Sequence, residues 1–259
     1  MKLSTLKLLP FCSLALFYFY PFVLAAVSQP KSVNHSFHVP AIIAFGDSIL
    51  DTGNNNYVET FMKANFKPYG RDFIRAKSTG RFSNGKIPSD LFVKISVITT
   101  PPPQFLFLDS CTASVYKYAG RDVFQFSTGC VPTQRTLGGG RERNCVESVN
   151  QASMVYNSKL SSSIMALNRS LPDARLVYLE NYSEFSGLIH RYNQFGFEVV
   201  DKACCGIGNV EFDFICSFLS LNVCKDASKY VFWDGYHPTE RTYTILVSKA
   251  LKKNIDKFV

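Results

Sequence analysis

Ser48, Asp234 and His237 are the side chains in this 259-residue chain whose types and surroundings suit nucleophilic chemistry. Ser48 closes the apolar run Pro40–Phe45 and opens the stretch Gly46-Asp47-Ser48-Ile49-Leu50-Asp51-Thr52-Gly53-Asn54-Asn55-Asn56. Asp234 and His237 stand in Asp234-Gly235-Tyr236-His237-Pro238, near the far end. A serine hydroxyl is a poor nucleophile until an imidazole takes its proton, and the imidazole needs a carboxylate to fix its tautomer. A spacing of three lets Asp234 reach Nδ1 of His237 while Nε2 faces a serine delivered from elsewhere. Gly46-Asp47-Ser48 alone reads equally well as a turn that caps a helix, and a single histidine as a satisfied loop residue. The extended Asp51–Asn56 stretch and the distant Asp-x-x-His-Pro together favour the chemical reading. A Gly-x-Ser-x-Gly nucleophile elbow is absent. His190 falls off the apolar face of its segment, and His35 and His38 lie in the entry to the fold.

The elements that must position these groups follow from periodicity. Pro40–Phe45 reads as a buried strand that ends at the serine loop, and Asp122–Phe126 and Arg175–Leu179 as further strands. Ser89–Ile98 reads as a helix with Leu91, Phe92 and Ile95 on one face. Val149, Ala152, Tyr156, Leu160, Ile164 and Leu167 recur at helical steps, and Pro172 stops them. Phe185–Phe195 forms another helical face with Gly196 at its exit. Tyr230–Trp233 is a brief extended run before the Asp-His loop, and Tyr243–Leu251 an amphipathic closing helix. Strands alternating with helices predict an α/β domain with a parallel sheet, whose ligands sit at the carboxyl ends of the strands.

Composition narrows the class. Lys2 and Lys7 precede an apolar stretch from Leu8 to Val23, and Ala25-Ala26 follows, the order of a secretory signal over residues 1–26. Residues 27–259 then form a single domain of about 233 residues. The net charge of +8 drops to about +6 without the signal lysines. It is spread along the chain without a basic stripe, so nucleic acid is not an expected partner. A weak attraction to acidic cell-wall polymers or a lipid surface is expected instead. No other segment approaches the ~20 consecutive apolar residues of a membrane span. Eight cysteines in an oxidising compartment point to disulfides, with the pairing open. Cys130 and Cys145 bracket a Gly-rich loop, Cys204, Cys205, Cys216 and Cys224 cluster, and Cys111 is the expected odd thiol once Cys12 is removed. Zinc is the rival for the cluster, although no Cys-x-x-Cys pair is present. Asn34, Asn168 and Asn181 open glycosylation sequons.

Further blocks accompany the serine and histidine stretches: Tyr69-Gly70-Arg71-Asp72-Phe73, Gly80-Arg81-Phe82-Ser83-Asn84-Gly85-Lys86, Gly129-Cys130-Val131-Pro132, Cys204-Cys205-Gly206 and Tyr230–Glu240. In these the chain resembles the plant GDSL esterase/lipases, and is most similar to the extracellular lipases of anther and pollen coat. The resemblance implies a flavodoxin-like SGNH-hydrolase fold, a three-layer α/β/α arrangement with a parallel sheet, and secreted hydrolysis of acyl or lipid esters without metal or other cofactor. It implies Ser48 as nucleophile, His237 as general base and Asp234 as its orienting partner. Ile49 stands where the family has Leu, and Gly235 where a serine is usual. The family's oxyanion hole also draws on a Gly from a Gly-rich turn and on a Gly-x-Asn-Asp motif. Residues 99–121, with Pro101-Pro102-Pro103 and Cys111, carry neither block, and an interior strand with its helices is expected to be missing. Gly138-Gly139-Gly140 reads as a surface excursion, and Asn144, Asn150 and Asn157 have only their residue type to suggest them as donors.

Two functional classes follow from these residues. One is a secreted ester hydrolase acting in lipid metabolism or degradation. The other is a secreted glycoprotein that keeps a remnant of the fold with impaired catalysis and a binding role or none.

Overall fold

The short run Ala41-Ile42-Ile43-Ala44 forms strand β1 (Ala41–Ala44), which leads into the serine loop. The structure is a computed structural model that describes residues 41–44, 46–96, 104–107, 128–170, 176–206, 216–217 and 222–258. The signal segment, the strand expected at Asp122–Phe126, Cys111 and Asn34 lie outside the described residues. β1 pairs in parallel with β2 (Gln104–Phe107), Ala41 opposite Gln104 and Ala44 opposite Phe107. β3 (Val199–Ala203) and β4 (Tyr230–Phe232) form a second parallel pair, with Val199 opposite Tyr230 and Ala203 opposite Phe232. The helices are α1 (Pro88–Ser96), α2 (Pro132–Gly138), α3 (Glu147–Ser170), α4 (Tyr182–His190) and α5 (Glu240–Phe258). Parallel strands joined through helices make this an α/β architecture.

Three apolar clusters hold the elements. Ile87 and Leu91 at α1 meet Tyr243 and Val247 of α5. Leu188 and Ile189 of α4 close on Val231 and Phe232 of β4, with Leu246 of α5 and the Cys130-Val131 turn. The third gathers Tyr69, Phe82 and Trp233 with Cys204, Cys205 and Cys216. Disulfides join Cys130 to Cys145, Cys204 to Cys224 and Cys205 to Cys216. The four clustered sulfurs are therefore bonded to one another, which leaves no thiolates for the zinc alternative. Gly196 leaves the 3₁₀ turn Tyr192–Phe195 at φ 75°, the left-handed exit its sequence position predicts.

Two expectations change. The apolar run Arg175–Leu179 predicts a strand, but residues 176–180 are irregular. Leu176 N–H donates to Asn168 Oδ1 and its carbonyl accepts from Asn168 Nδ2, so a side chain takes the groups a ladder would use. The helix over Val149–Leu167 is present as α3, but its apolar stripe does not set its docking. Its buried residues are Asn150 and Ser153, while Tyr156, Met165 and Leu167 are exposed. Asn150 Oδ1 accepts from Gly129 N–H and the Thr128 hydroxyl, and this polar contact anchors the helix's first turn.

Candidate active site

The serine loop follows closely on the carboxyl end of β1. Leu50 N–H returns to the Asp47 carbonyl at 2.9 Å, which curls the chain around Ser48. Asp51 is fully buried and accepts from the N–H groups of Gly53, Asn54 and Asn55. This satisfies the opening of the 3₁₀ turn Asn54–Tyr57 and fixes the far side of the loop. Gly53 sits at φ 132°, where a Cβ would fall 2.6 Å from the Thr79 carbonyl oxygen. Only glycine fits that approach.

The second half of the site is a fold-back after β4. Trp233 N–H donates to the His237 carbonyl at 2.7 Å and Thr239 N–H to the Val231 carbonyl at 3.0 Å. Residues 234–236 are thereby forced into a tight loop. The N–H groups of Tyr236 and His237 both point at Asp234 Oδ1, at 2.9 and 2.7 Å. Helix α5 is tied to the 80s loop beside it: Asn84 Oδ1 accepts from Glu240 N–H and Glu240 Oε2 from Lys86 N–H. The Ser83 hydroxyl donates to the Pro238 carbonyl.

Ser48, His237 and Asp234 meet in one line. Ser48 Oγ is 2.6 Å from His237 Nε2, across 189 residues of sequence. His237 Nδ1 is 2.8 Å from both carboxylate oxygens of Asp234. With Nδ1 carrying its proton toward a carboxylate, Nε2 presents a lone pair to the serine hydroxyl. His237 and Asp234 are 4 % and 1 % exposed, so water does not compete for these bonds. The Tyr69 hydroxyl donates to Asp234 Oδ2 at 2.7 Å. Burial pushes the Asp234 carboxyl up, but the charge of His237 and the bonds from His237, Tyr236 N–H and Tyr69 together bring it below 3.8. Phe82 lies over the imidazole with ring centroids 4.8 Å apart, a further shield.

Asp47, next to Ser48, behaves oppositely. Desolvation raises its carboxyl above 3.8 and outweighs the Ile49 N–H bond and the attraction of His237. Burial, with the charges of Asp234 and Asp47, raises the Tyr243 phenol well above 10.0. The Tyr243 hydroxyl is buried without a hydrogen-bond partner among the described residues.

A cleft of about 270 Å³ opens beside the imidazole. Phe61, Met62, Phe66 and Phe82 supply its apolar walls, with Lys63 at one side and Cys216-Ser217 at another. In the sequence Tyr69 and Phe82 are legible only as members of longer blocks, without a role. Their partners are remote, 165 residues away in the case of Tyr69, and no local pattern signals such a contact. The other candidates that the sequence offers lie apart from this chemistry. His190 is exposed on α4. Gly140 projects into open space inside the ring closed by Cys130–Cys145. Asn144 is exposed and bonded to Glu142, Asn150 is occupied by Gly129, and Asn157 lies within α3. Asn168 and Asn181 are exposed.

A family profile described as GDSL-like Lipase/Acylhydrolase matches residues 107–250. The chain belongs to the GDSL lipase/acylhydrolase family. Its α/β fold is that of a GDSL/SGNH domain. It is 30 % identical to GDSL esterase/lipase EXL3 of Arabidopsis thaliana over 351 aligned positions, covering 96 % of this chain and 95 % of that one. It is 30 % identical to GDSL esterase/lipase At3g14820 of the same plant over 333 positions, covering 90 % and 95 %. Both alignments are longer than the 259 residues present here, so these GDSL relatives contain stretches without a counterpart in this chain.

Proposed function

We propose that the chain is a secreted serine ester hydrolase that cleaves acyl esters, lipid esters among them, through an acyl-enzyme on Ser48. The observation that carries this is the continuous line from Ser48 Oγ to His237 Nε2 at 2.6 Å and from Nδ1 to Asp234 at 2.8 Å. Ser48 Oγ attacks the carbonyl carbon as Nε2 takes its proton. Collapse of the tetrahedral intermediate breaks the bond to the alcohol oxygen, which receives that proton. Water, deprotonated by the same nitrogen, then attacks the acyl carbon and returns Ser48 to its free form. Asp234 holds the imidazole tautomer and stabilises the imidazolium. Membership of the GDSL family supports an ester as substrate.

Secretion is supported by the signal-like order of residues 1–26 and by three disulfides. No helix among the described residues is long and apolar enough to cross a membrane. Glycans are assigned to Asn34, Asn168 and Asn181. Asn168 and Asn181 are both exposed, and the Asn168 side chain is bonded to Leu176.

The test is hydrolysis of a short-chain aryl ester by the disulfide-bonded chain and by Ser48→Ala. Activity lost with Ser48 supports the proposal, and activity equal in both rejects it. A second reading rests on the missing Gly-x-Asn-Asp motif: a glycoprotein that binds esters without turning them over. Removing one oxyanion donor typically costs ~10²–10³ in turnover. That reading requires a wild type as slow as Ser48→Ala.

A further inference from the structure

We propose that the cleft beside His237 receives the alcohol half of the ester, and that this half is a compact apolar group such as an aryl or short alkyl alcohol. The inference rests on the hydrolase reading above and assigns the leaving group of that same site. His237 and Asp234 line the cleft, whereas Ser48 is not among its lining residues. That asymmetry decides which part of the substrate lies there. The acyl carbon becomes bonded to Ser48 Oγ, so the acyl chain departs from the serine side. The alcohol oxygen must sit within reach of Nε2, because the proton that Nε2 took from Ser48 passes to it as the carbon–oxygen bond breaks. The rest of the alcohol then extends past the imidazole, into the space that begins at His237.

The walls define the chemistry of that group. Phe61, Met62, Phe66 and Phe82 offer aromatic and thioether surface. Asp234 already receives bonds from Tyr69, Tyr236 and His237, so it makes no demand for a polar ligand. Lys63 is turned to the Asn56 carbonyl at 3.3 Å. Phe61 is 97 % exposed at the rim, apolar surface that a bound ring would cover. The volume of about 270 Å³ lies below the ~300–1,000 Å³ of sites that enclose drug-sized ligands. A single ring or short chain fits that scale better than a bulky lipid alcohol.

The experiment uses the full disulfide-bonded protein and two ratios of kcat/KM. One compares 2-naphthyl acetate with ethyl acetate, and the other 4-nitrophenyl octanoate with 4-nitrophenyl acetate. Phe61→Ala alters an exposed side chain and keeps the core, and Phe66→Leu gives a second, milder probe. The naphthyl-to-ethyl ratio is expected to fall roughly tenfold in each, with the octanoate-to-acetate ratio unchanged. A change confined to the octanoate-to-acetate ratio overturns the assignment and makes the cleft an acyl site. Binding of free 2-naphthol to Ser48→Ala, followed by NMR of the His237 ring, is the activity-independent arm. Wild-type hydrolysis without naphthol binding refutes the subsite alone. Naphthol binding without any wild-type hydrolysis refutes the hydrolase reading and, with it, the leaving-group role.

Discussion

The Tyr69 hydroxyl donates to Asp234 Oδ2 across 2.7 Å, fastening the carboxylate on the side that His237 Nδ1 also uses. Tyr69 is held by edge-on contacts with Phe66 and Phe82, so its ring is packed independently of that bond. Tyr69→Phe keeps the ring and deletes the donor. A hydrogen bond to a charged group is worth about 1.5–3 kcal/mol. Unfolding in denaturant at pH 7 is expected to show a loss of that order. Asp234 is below 3.8 in the fold, so the stability it contributes is present above its unfolded value and is lost as pH falls through the folded one. Without Tyr69 the depression shrinks. The gap between wild type and Tyr69→Phe should therefore narrow as pH falls through the folded value of Asp234, and a gap constant with pH would refute the charge-assisted role.

Asp234→Asn tests the orientation of the base. An amide keeps the volume but offers Nδ1 no carboxylate, so His237 loses the tautomer that leaves Nε2 unprotonated. The corresponding change in serine proteases lowers kcat by roughly 10⁴-fold. A fall of that order in kcat, with KM little changed, is expected for aryl ester hydrolysis. A fall below tenfold would remove Asp234 from the mechanism.

Asp47→Asn should stabilise the protein at neutral pH. Burial raises the Asp47 carboxyl above 3.8, so ionising it costs more in the folded chain than in the unfolded one. That cost is absent below the unfolded value, grows as pH rises through it and is complete above the folded value. Asparagine avoids the charge and its Oδ1 still accepts from Ile49 N–H. The Tm difference is expected to be positive at pH 7 and to vanish below about pH 3.8. A variant less stable than wild type at pH 7 would contradict it.

The Cys130–Cys145 bridge closes a loop of 15 residues, and Thr133 within that loop donates its N–H to the Gly235 carbonyl at 3.0 Å, beside Asp234. Chain-entropy reasoning assigns such a loop about 3 kcal/mol. Replacing both cysteines by alanine should lower stability by that order, and kcat per folded molecule stays within about twofold as long as the Thr133–Gly235 bond is kept. Loss of turnover in the folded variant would show that the Cys130-Val131 turn supports the site directly.

Part of this arrangement is readable in the sequence, and the rest is hidden for identifiable reasons. Local signals are enough for β1, α1, α4, β4 and α5, because apolar periodicity and caps act within a few residues. β3 escapes because Val199–Ala203 lacks alternation: its first three residues are half-buried, and its pairing with β4 is irregular. Leu176 mimics a strand residue because its neighbours are apolar, whereas its backbone groups are captured by Asn168. The meeting of Ser48 with His237 is suggested by their residue types, by the Asp-x-x-His-Pro spacing and by the family's blocks, but no local pattern fixes it. The disulfide partners among Cys204, Cys205, Cys216 and Cys224 depend on which loops pass each other, information that spacing does not contain.

The proposed nucleophile Ser48 and its proposed base His237, 189 residues later, impose an order of events on biosynthesis. A ribosome releases Ser48 long before it has made His237, and in that interval the hydroxyl has no imidazole to take its proton. The stitches from Asn84 and Lys86 to Glu240 form later still, when the last helix arrives. Under the proposed mechanism, nascent chains and fragments ending before Asp234 are chemically silent, and a serine-directed fluorophosphonate is expected to react only with molecules whose two ends have met.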